Sequence, residues 1–255
     1  MGINFILNGE ARTEDSVSPT RTVLEYLRED CGLTGTKEGC AEGDCGACSI
    51  VMVRNGSGRV EAVNSCLFTV GQLDGARVAT VEGLSEKRGE LEAVQSAIVS
   101  EDGTQCGFCT PGFVIALHAL RHSGEIVTDE VIHDALAGNL CRCTGYRSIV
   151  AAAHAATSQP VEPSAILANT APAAGEIYEA SDQTFLAPTT LDALVTARAA
   201  HPDAPLLSGG TDLGLSFSKD RKAFPVTIHT QNVAELKRVE EDDTQISLGA
   251  AVTYT

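Results

Sequence analysis

Residues 39–48 read GCAEGDCGAC, three cysteines and three glycines in ten positions with two acids among them. With Cys66 downstream, Cys40, Cys45 and Cys48 make a C-x4-C-x2-C run plus a remote fourth thiol, the spacing of plant-type [2Fe-2S] sites. Charge explains the composition. Two ferric ions, two sulfides and four thiolates carry a net negative charge, and reduction adds another electron. Gly39, Gly43 and Gly46 let the chain wrap closely and turn N–H groups toward the sulfurs. A structural zinc site also takes four thiolates, but its ligands come as two short hooks, so the spacing favours iron and sulfide.

A second set of four does come as two hooks, Cys106/Cys109 in QCGFC and Cys141/Cys143 in CRC. Thr110-Pro111 opens a helix directly after Cys109, and another helix opens near Tyr146 after Cys143, so positive helix ends can face an anionic group. By ligand pattern alone, zinc and iron–sulfur suit this set equally well. No strand precedes QCGFC, which argues against a thioredoxin-like redox pair. Cys31 is left over and reads as a small buried hydrophobe.

The rest of the composition narrows the classes. Among 255 residues, 18 Lys+Arg face 34 Asp+Glu, a net charge of -16 that argues against nucleic acid as a partner. The start, MGINFILNGE, has no basic n-region, and Ile6 stands where a myristoylation signal wants Ser or Thr. Apolar runs such as FVIALHAL are shorter than a membrane span. These features predict a cytoplasmic protein with reduced thiols rather than disulfides.

Residues 1–84 alternate: Ile3, Phe5 and Leu7 share a face, Asn8-Gly9 signals a hairpin, and a second strand is expected before Pro19. Val23, Leu24 and Leu27 predict a helix over 20–29. SIVMVR (49–54) is a strand, NGSG (55–58) a turn, 60–66 a returning strand and 76–81 a further one, together a small sheet with one helix across it. Over 85–157 the period becomes helical, at 91–99, 113–120 with Thr110 as N-cap, 131–136 after Thr128, and from Tyr146 to Ala156. Residues 158–181, rich in Pro, Ala and Ser, read as a linker. Beyond it the pattern predicts a helix over 189–200 and strands at 206–208, 226–229 and 246–252. Segment 182–255 is thin for a complete core and is expected to be part of a larger domain. His118, His122, His133 and His154 lack ligand spacing and are expected to pack or face solvent, and EEDD (240–243) to be a solvated turn.

In order along the chain, GTKEGCAEGDCGAC (35–48), QCGFCTPGF (105–113) and GNLCRCTGY (138–146) resemble the iron–sulfur part of the molybdenum hydroxylases, above all the small subunit of bacterial xanthine dehydrogenase. The resemblance implies an α+β chain: a ferredoxin-like β-grasp domain (1–84) and a four-helix domain (85–157), each with one [2Fe-2S] cluster, then the linker and the N-terminal part of an FAD-binding domain (182–255). It assigns both quartets to iron, and places Cys143 and Gln105 toward a molybdopterin on a separate large subunit. LLSGGTDLGL (206–215) is a weak signal unaided. It resembles the first flavin loop of that domain, which makes Leu206, Leu207, Ser208, Gly209, Gly210, Thr211, Asp212 and Leu213 the cofactor-binding candidates. ISLGAAVTYT (246–255) resembles the family's following strand, after which the family has a second glycine motif and a subdomain not found in this sequence.

The implied function is electron transfer in a xanthine dehydrogenase-type oxidoreductase. Electrons from water-dependent hydroxylation at molybdenum would pass through both clusters to FAD and on to NAD, with no acid or base needed here. Rival readings are aldehyde, isoquinoline or carbon monoxide oxidation by the same parts, a stand-alone ferredoxin-like carrier, and a zinc-stabilised interaction module.

Overall fold

The computed structural model describes residues 2–54, 57–85, 89–161 and 172–253. The first half of the NGSG turn, the middle of the expected linker and the last two residues of ISLGAAVTYT lie outside them.

Strands β1 (Ile3–Leu7) and β2 (Glu10–Glu14) form the expected hairpin, with Asn8 and Gly9 both at positive φ as its two-residue turn requires. The first helix is shorter than its spacing predicts. Thr22 accepts the Glu25 N–H, α1 (Val23–Glu25) follows, and the chain continues as a π-helical turn over Tyr26–Asp30. Strands β3 (Ser49–Val53), β4 (Glu61–Asn64) and β5 (Arg77–Ala79) complete a five-stranded sheet ordered β2-β1-β5-β3-β4, with β1 and β5 parallel.

Every residue of β3 is buried because the strand is covered on both faces. Ile50 and Met52 enter a core with Phe5, Tyr26 and Leu27, while Val51 and Val53 enter a second core with Phe113, Leu117 and Ile149. The sheet and the helices are thereby joined through the alternating sides of one strand.

The helices are α2 (Ala93–Ser100), α3 (Thr110–Arg121), α4 (Asp129–Leu136) and α5 (Arg147–Thr157). Thr128 caps α4 as expected, accepting the Val131 N–H. Thr110 does not cap α3; it is the first helical residue, Cys109 holds the cap position, and the Thr110 hydroxyl meets that of Thr104 at 2.7 Å. No helix among the described residues is long and apolar enough to cross a membrane.

The expected linker is shorter than its composition implies. Its last residues form β6 (Ile177–Ala180), which turns at Ser181-Asp182 into β7 (Gln183–Leu186). Then come α6 (Leu191–Ala200), β8 (Leu206–Leu207), α7 (Leu213–Ser218) and β9 (Val226–His229), in a sheet ordered β6-β7-β9-β8 whose β9 runs parallel to both neighbours. A separate hairpin pairs β10 (Val239–Glu241) with β11 (Ile246–Leu248). It corrects two expectations: Glu240 and Glu241 lie in a strand with only Asp242 and Asp243 at the turn, and the last strand stops at Leu248.

This final segment has a small cluster of its own, Leu194, Ala204, Ile228 and Val233, but its larger side chains join the core of the first sheet. Tyr178, Phe185, Leu207 and Phe217 pack into the same cluster as Ile3, Phe5 and Tyr26, and the Tyr178 hydroxyl donates to Val17 O at 2.6 Å. Phe185→Ala is therefore expected to lower stability by about 3–5 kcal/mol, read from the denaturant midpoint. Two histidines, buried His229 and half-buried His122, add a pH dependence. Burial, with Arg54 and Lys237 nearby, pushes His229 down to about 3, and burial, with His118 and Arg121, pushes His122 down to about 4. Between those values and the ordinary histidine range the unfolded chain binds more protons. Stability is thus full above about pH 6.5 and falls as pH drops toward 4. Unfolding midpoints compared at about pH 7 and about pH 5 check the sign, and His229→Gln is expected to flatten the slope.

Candidate iron–sulfur and flavin sites

The loop 39–48 runs between α1 and β3 and brings Cys40 and Cys45 together, while Cys48 meets Cys66 from the turn after β4. A Cβ on Gly39 would come within 2.9 Å of the Cys45 Sγ, so only glycine lets the chain pass that close. The Glu42 N–H donates to the Cys40 Sγ at 3.4 Å. Further N–H groups reach the thiols: those of Asp44 and Cys45 point to Cys40, that of Ala47 to Cys45, and that of Gly43 to Cys66. The sequence places the glycines correctly but not the donors, most of which belong to the residues between them.

Within each pair one thiol is acidified and its partner suppressed. The Cys66 thiol donates to Cys48 and, against the opposing effect of burial, takes Cys48 down to about 7; the same contact, with burial, pushes Cys66 up. Burial alone would raise Cys40, but the Glu42 N–H and the Cys45 thiol outweigh it and leave Cys40 lowered, while Cys45 is raised by burial.

The second quartet pairs in the same way. Cys106 meets Cys143, and Cys109, at the cap position of α3, meets Cys141 in the loop between α4 and α5. The Phe108 N–H, then the Cys143 thiol, lower Cys106; burial and the Cys141 thiol push Cys109 up to about 12. Thr144 donates its N–H to the Cys141 Sγ at 3.5 Å and holds its hydroxyl 3.1 Å away. The Cys141 N–H is held by the Tyr146 hydroxyl at 2.9 Å, and Tyr146 sits at φ 70 with its ring against the Phe113 edge. Cys106, Cys143 and Gln105 are exposed.

Among the described residues no three Cys, His, Asp or Glu side chains converge on one point as a mononuclear metal requires. Thiols that instead meet two by two, with N–H groups aimed at sulfur, fit a binuclear centre with two thiolates per iron. The histidines stay apart: His118 is buried against Glu92 at 3.7 Å, His122 is half-buried beside it, and His133 and His154 are exposed.

The quartets are tied directly to each other. Leu140, next to Cys141, donates its N–H to Cys45 O at 3.0 Å, and buried Asn139 donates from Nδ2 to Gly46 O at 3.2 Å. Gly112 in α3 lies so close to Gly46 O that a Cβ would approach within 2.2 Å. Asn139 is inside the GNLCRC motif, yet nothing in its spacing marks it as a strut.

The candidate flavin loop follows β8. Leu207 and Leu213 turn their side chains into the core, so they offer backbone only. The Ser208 carbonyl accepts from Gln72 Nε2 and its hydroxyl from Gln231 Nε2, both at 3.1 Å. Gly210 has φ +82, Asp212 is exposed at the start of α7, and Leu206 is half exposed. A Cβ on Gly209 would meet nothing within 4 Å. Gly209 and Thr211 line a cavity of about 660 Å³ together with Arg54, Leu67, Phe68 and Gln231, none of which sequence reading selected. The open space over Gly209, beside Arg54, would let a phosphate-bearing cofactor approach the backbone closely.

Three family models match: a 2Fe-2S iron–sulfur cluster binding domain at residues 5–70, a [2Fe-2S] binding domain at 80–154, and the FAD binding domain in molybdopterin dehydrogenase at 179–255. Among solved structures, quinoline 2-oxidoreductase from Pseudomonas putida 86 is 36% identical at a TM-score of 0.54, over 63% of this chain and 98% of that one. Aldehyde oxidoreductase from Desulfovibrio gigas is 33% identical at 0.56, over 62% of this chain and 17% of that one. Xanthine dehydrogenase from Drosophila subobscura and aldehyde oxidase 1 from Cavia porcellus are each 33% identical over 98% of this chain. The chain spans 22% and 23% of those two proteins.

The paired thiols differ in access. In metal-free protein, alkylation is expected at Cys106 and Cys143 well before buried Cys48 and Cys66, as followed by mass spectrometry. Because the reactive form is the thiolate and Cys106 is lowered, its labelling should persist below the ordinary thiol range.

Proposed function

Since the chain belongs to the molybdenum hydroxylase family, we propose that it is the electron-transfer part of a xanthine dehydrogenase-type enzyme, working with a large molybdopterin-binding subunit and delivering electrons to NAD. The two [2Fe-2S] clusters would be held by Cys40, Cys45, Cys48 and Cys66 and by Cys106, Cys109, Cys141 and Cys143. The flavin would lie along Gly209, Gly210 and Thr211. When bound, these groups supply one-electron carriers and a two-electron collector. In this reading 1–84 and 85–157 are the two cluster units, 182–255 belongs to the flavin unit, and the protein works in the cytoplasm.

The observation that carries the reading is the two-by-two meeting of the thiols together with the Leu140 N–H to Cys45 O bond at 3.0 Å. The protein's own part in transfer is to fix distance and exclude water. Buried Asn139, Gly46 and Gly112 keep the two quartets in one register, and a carrier serves electron transfer best when its surroundings do not rearrange. The exposed edge with Cys106, Cys143 and Gln105 is the side offered to the molybdopterin partner. A stand-alone carrier would have no use for a second quartet wired to the first. Aldehyde oxidation remains the second reading within the family, supported by the equal identity to aldehyde oxidase 1.

Cys141→Ser is expected to halve iron and acid-labile sulfide and to remove one of two distinct EPR signals from the reduced protein. Zinc in place of iron, or both signals intact, would overturn the assignment. Assay of the assembled protein with xanthine and with an aldehyde, following NAD reduction, distinguishes the two substrate readings.

A further inference from the structure

One residue touches both the first thiol quartet and the glycine loop after β8. Leu67 follows Cys66 and is buried with Leu24, Cys48 and Cys66. Its side chain fills the space over Gly43, where a Cβ would come within 2.4 Å of the Leu67 Cδ1. Its carbonyl faces the other way. A Cβ on Gly210 or on Gly214 would each come within 2.8 Å of Leu67 O.

The loop's glycines therefore divide. Gly209 faces open space in the cavity, whereas Gly210 and Gly214 are glycine because the backbone beside Cys66 is seated on them. Gly214 also donates its N–H to Gly210 O at 2.7 Å, and Leu215, next along α7, packs onto the Cys48/Cys66 cluster. Lys219 pairs with Glu42 at 3.3 Å and Arg221 with Glu25, pinning the far end of α7 to the loop of the first quartet and to α1.

We propose that Leu67 is a positioning residue that sets the separation between the first cluster and the flavin, with Gly210 and Gly214 as its seat. The inference rests on reading 206–213 as the flavin loop. A methyl group at Gly214 must push the loop off the Leu67 backbone, because a carbonyl and a Cα cannot rotate aside as a side-chain tip can. Gly214 has a backbone angle open to any residue, so Gly214→Ala tests that contact without backbone strain. Leu67→Ala instead removes the plug over Gly43 and loosens the cluster side.

The test uses the assembled protein carrying clusters and flavin, and measures flavin per chain, magnetic coupling between the first cluster and the flavin after partial reduction, and the rate of electron exchange between them. In Gly214→Ala and Leu67→Ala, flavin content should hold, coupling should weaken and exchange should slow, because both depend on the separation of the two centres. Leu67→Met should restore both. Should Leu67→Ala fail to fold, Gly214→Ala carries the test. Full flavin with unchanged coupling and rate in Gly214→Ala would overturn the positioning role alone, as would loss of flavin from that variant. A complete absence of flavin from the unsubstituted protein would overturn the flavin reading and this inference with it.

Discussion

A backbone whose N–H groups are committed to sulfur must turn its carbonyls outward, and each carbonyl then needs a donor from somewhere else. Loop 39–48 meets this demand five times. Gly43 O takes Asn64 Nδ2 at 2.7 Å, Cys45 O takes the Leu140 N–H, Gly46 O takes the Ser49 hydroxyl and Asn139 Nδ2, Ala47 O takes the Lys37 N–H, and Cys48 O takes the Ser65 hydroxyl. Two of those donors come from the helical unit. The electrostatics of the first quartet and the attachment of the second are thus one constraint: stabilising an anion inside the loop fixes which surface the loop presents outside.

The same logic extends past β4. Cys66 sits in a turn whose Ser65 and Phe68 carbonyls accept the Leu24 and Val23 N–H groups at the start of α1. These are donors that the first turn of a helix otherwise leaves without partners. The turn is therefore anchored before the final segment packs on it, and Tyr178, Phe185, Leu207 and Phe217 add to a core the sheet has already begun. Three units matched by three family models behave as one packed body, because β3 serves two cores and the ferredoxin core serves the last segment.

Legibility in the sequence followed the range of each signal. Thiol spacing, the Asn8-Gly9 turn, the Thr128 cap and the helical periods within 85–157 are local, and the structure has each of them. What the sequence hid depends on distant partners. Strand β6 looked like linker because Tyr178 is its single buried residue and its pairing comes from β7. Thr110 lost the cap position to Cys109, since the chain must hold a thiol there. Asn139 and Leu67 have ordinary side chains whose meaning arises only when Gly46, Gly210 and Gly214 arrive from elsewhere in the chain.

That division bears on substrate choice. Relatives named for xanthine and for aldehydes match this chain at the same 33% identity. Equal similarity is what electron wiring would produce. Once a hydride equivalent has become electrons, the residues that carry them respond to distance, burial and charge, and none of these depends on which molecule was oxidised. Asn139, Gly112 and Leu67 hold the loops in close contact, Cys48 and Cys66 are buried, and in the proposed reading these contacts would fix distance while the inward N–H groups offset charge. A part selected for those three quantities can serve different oxidations unchanged, so in the proposed reading discrimination between substrates would fall to residues outside this chain that touch them.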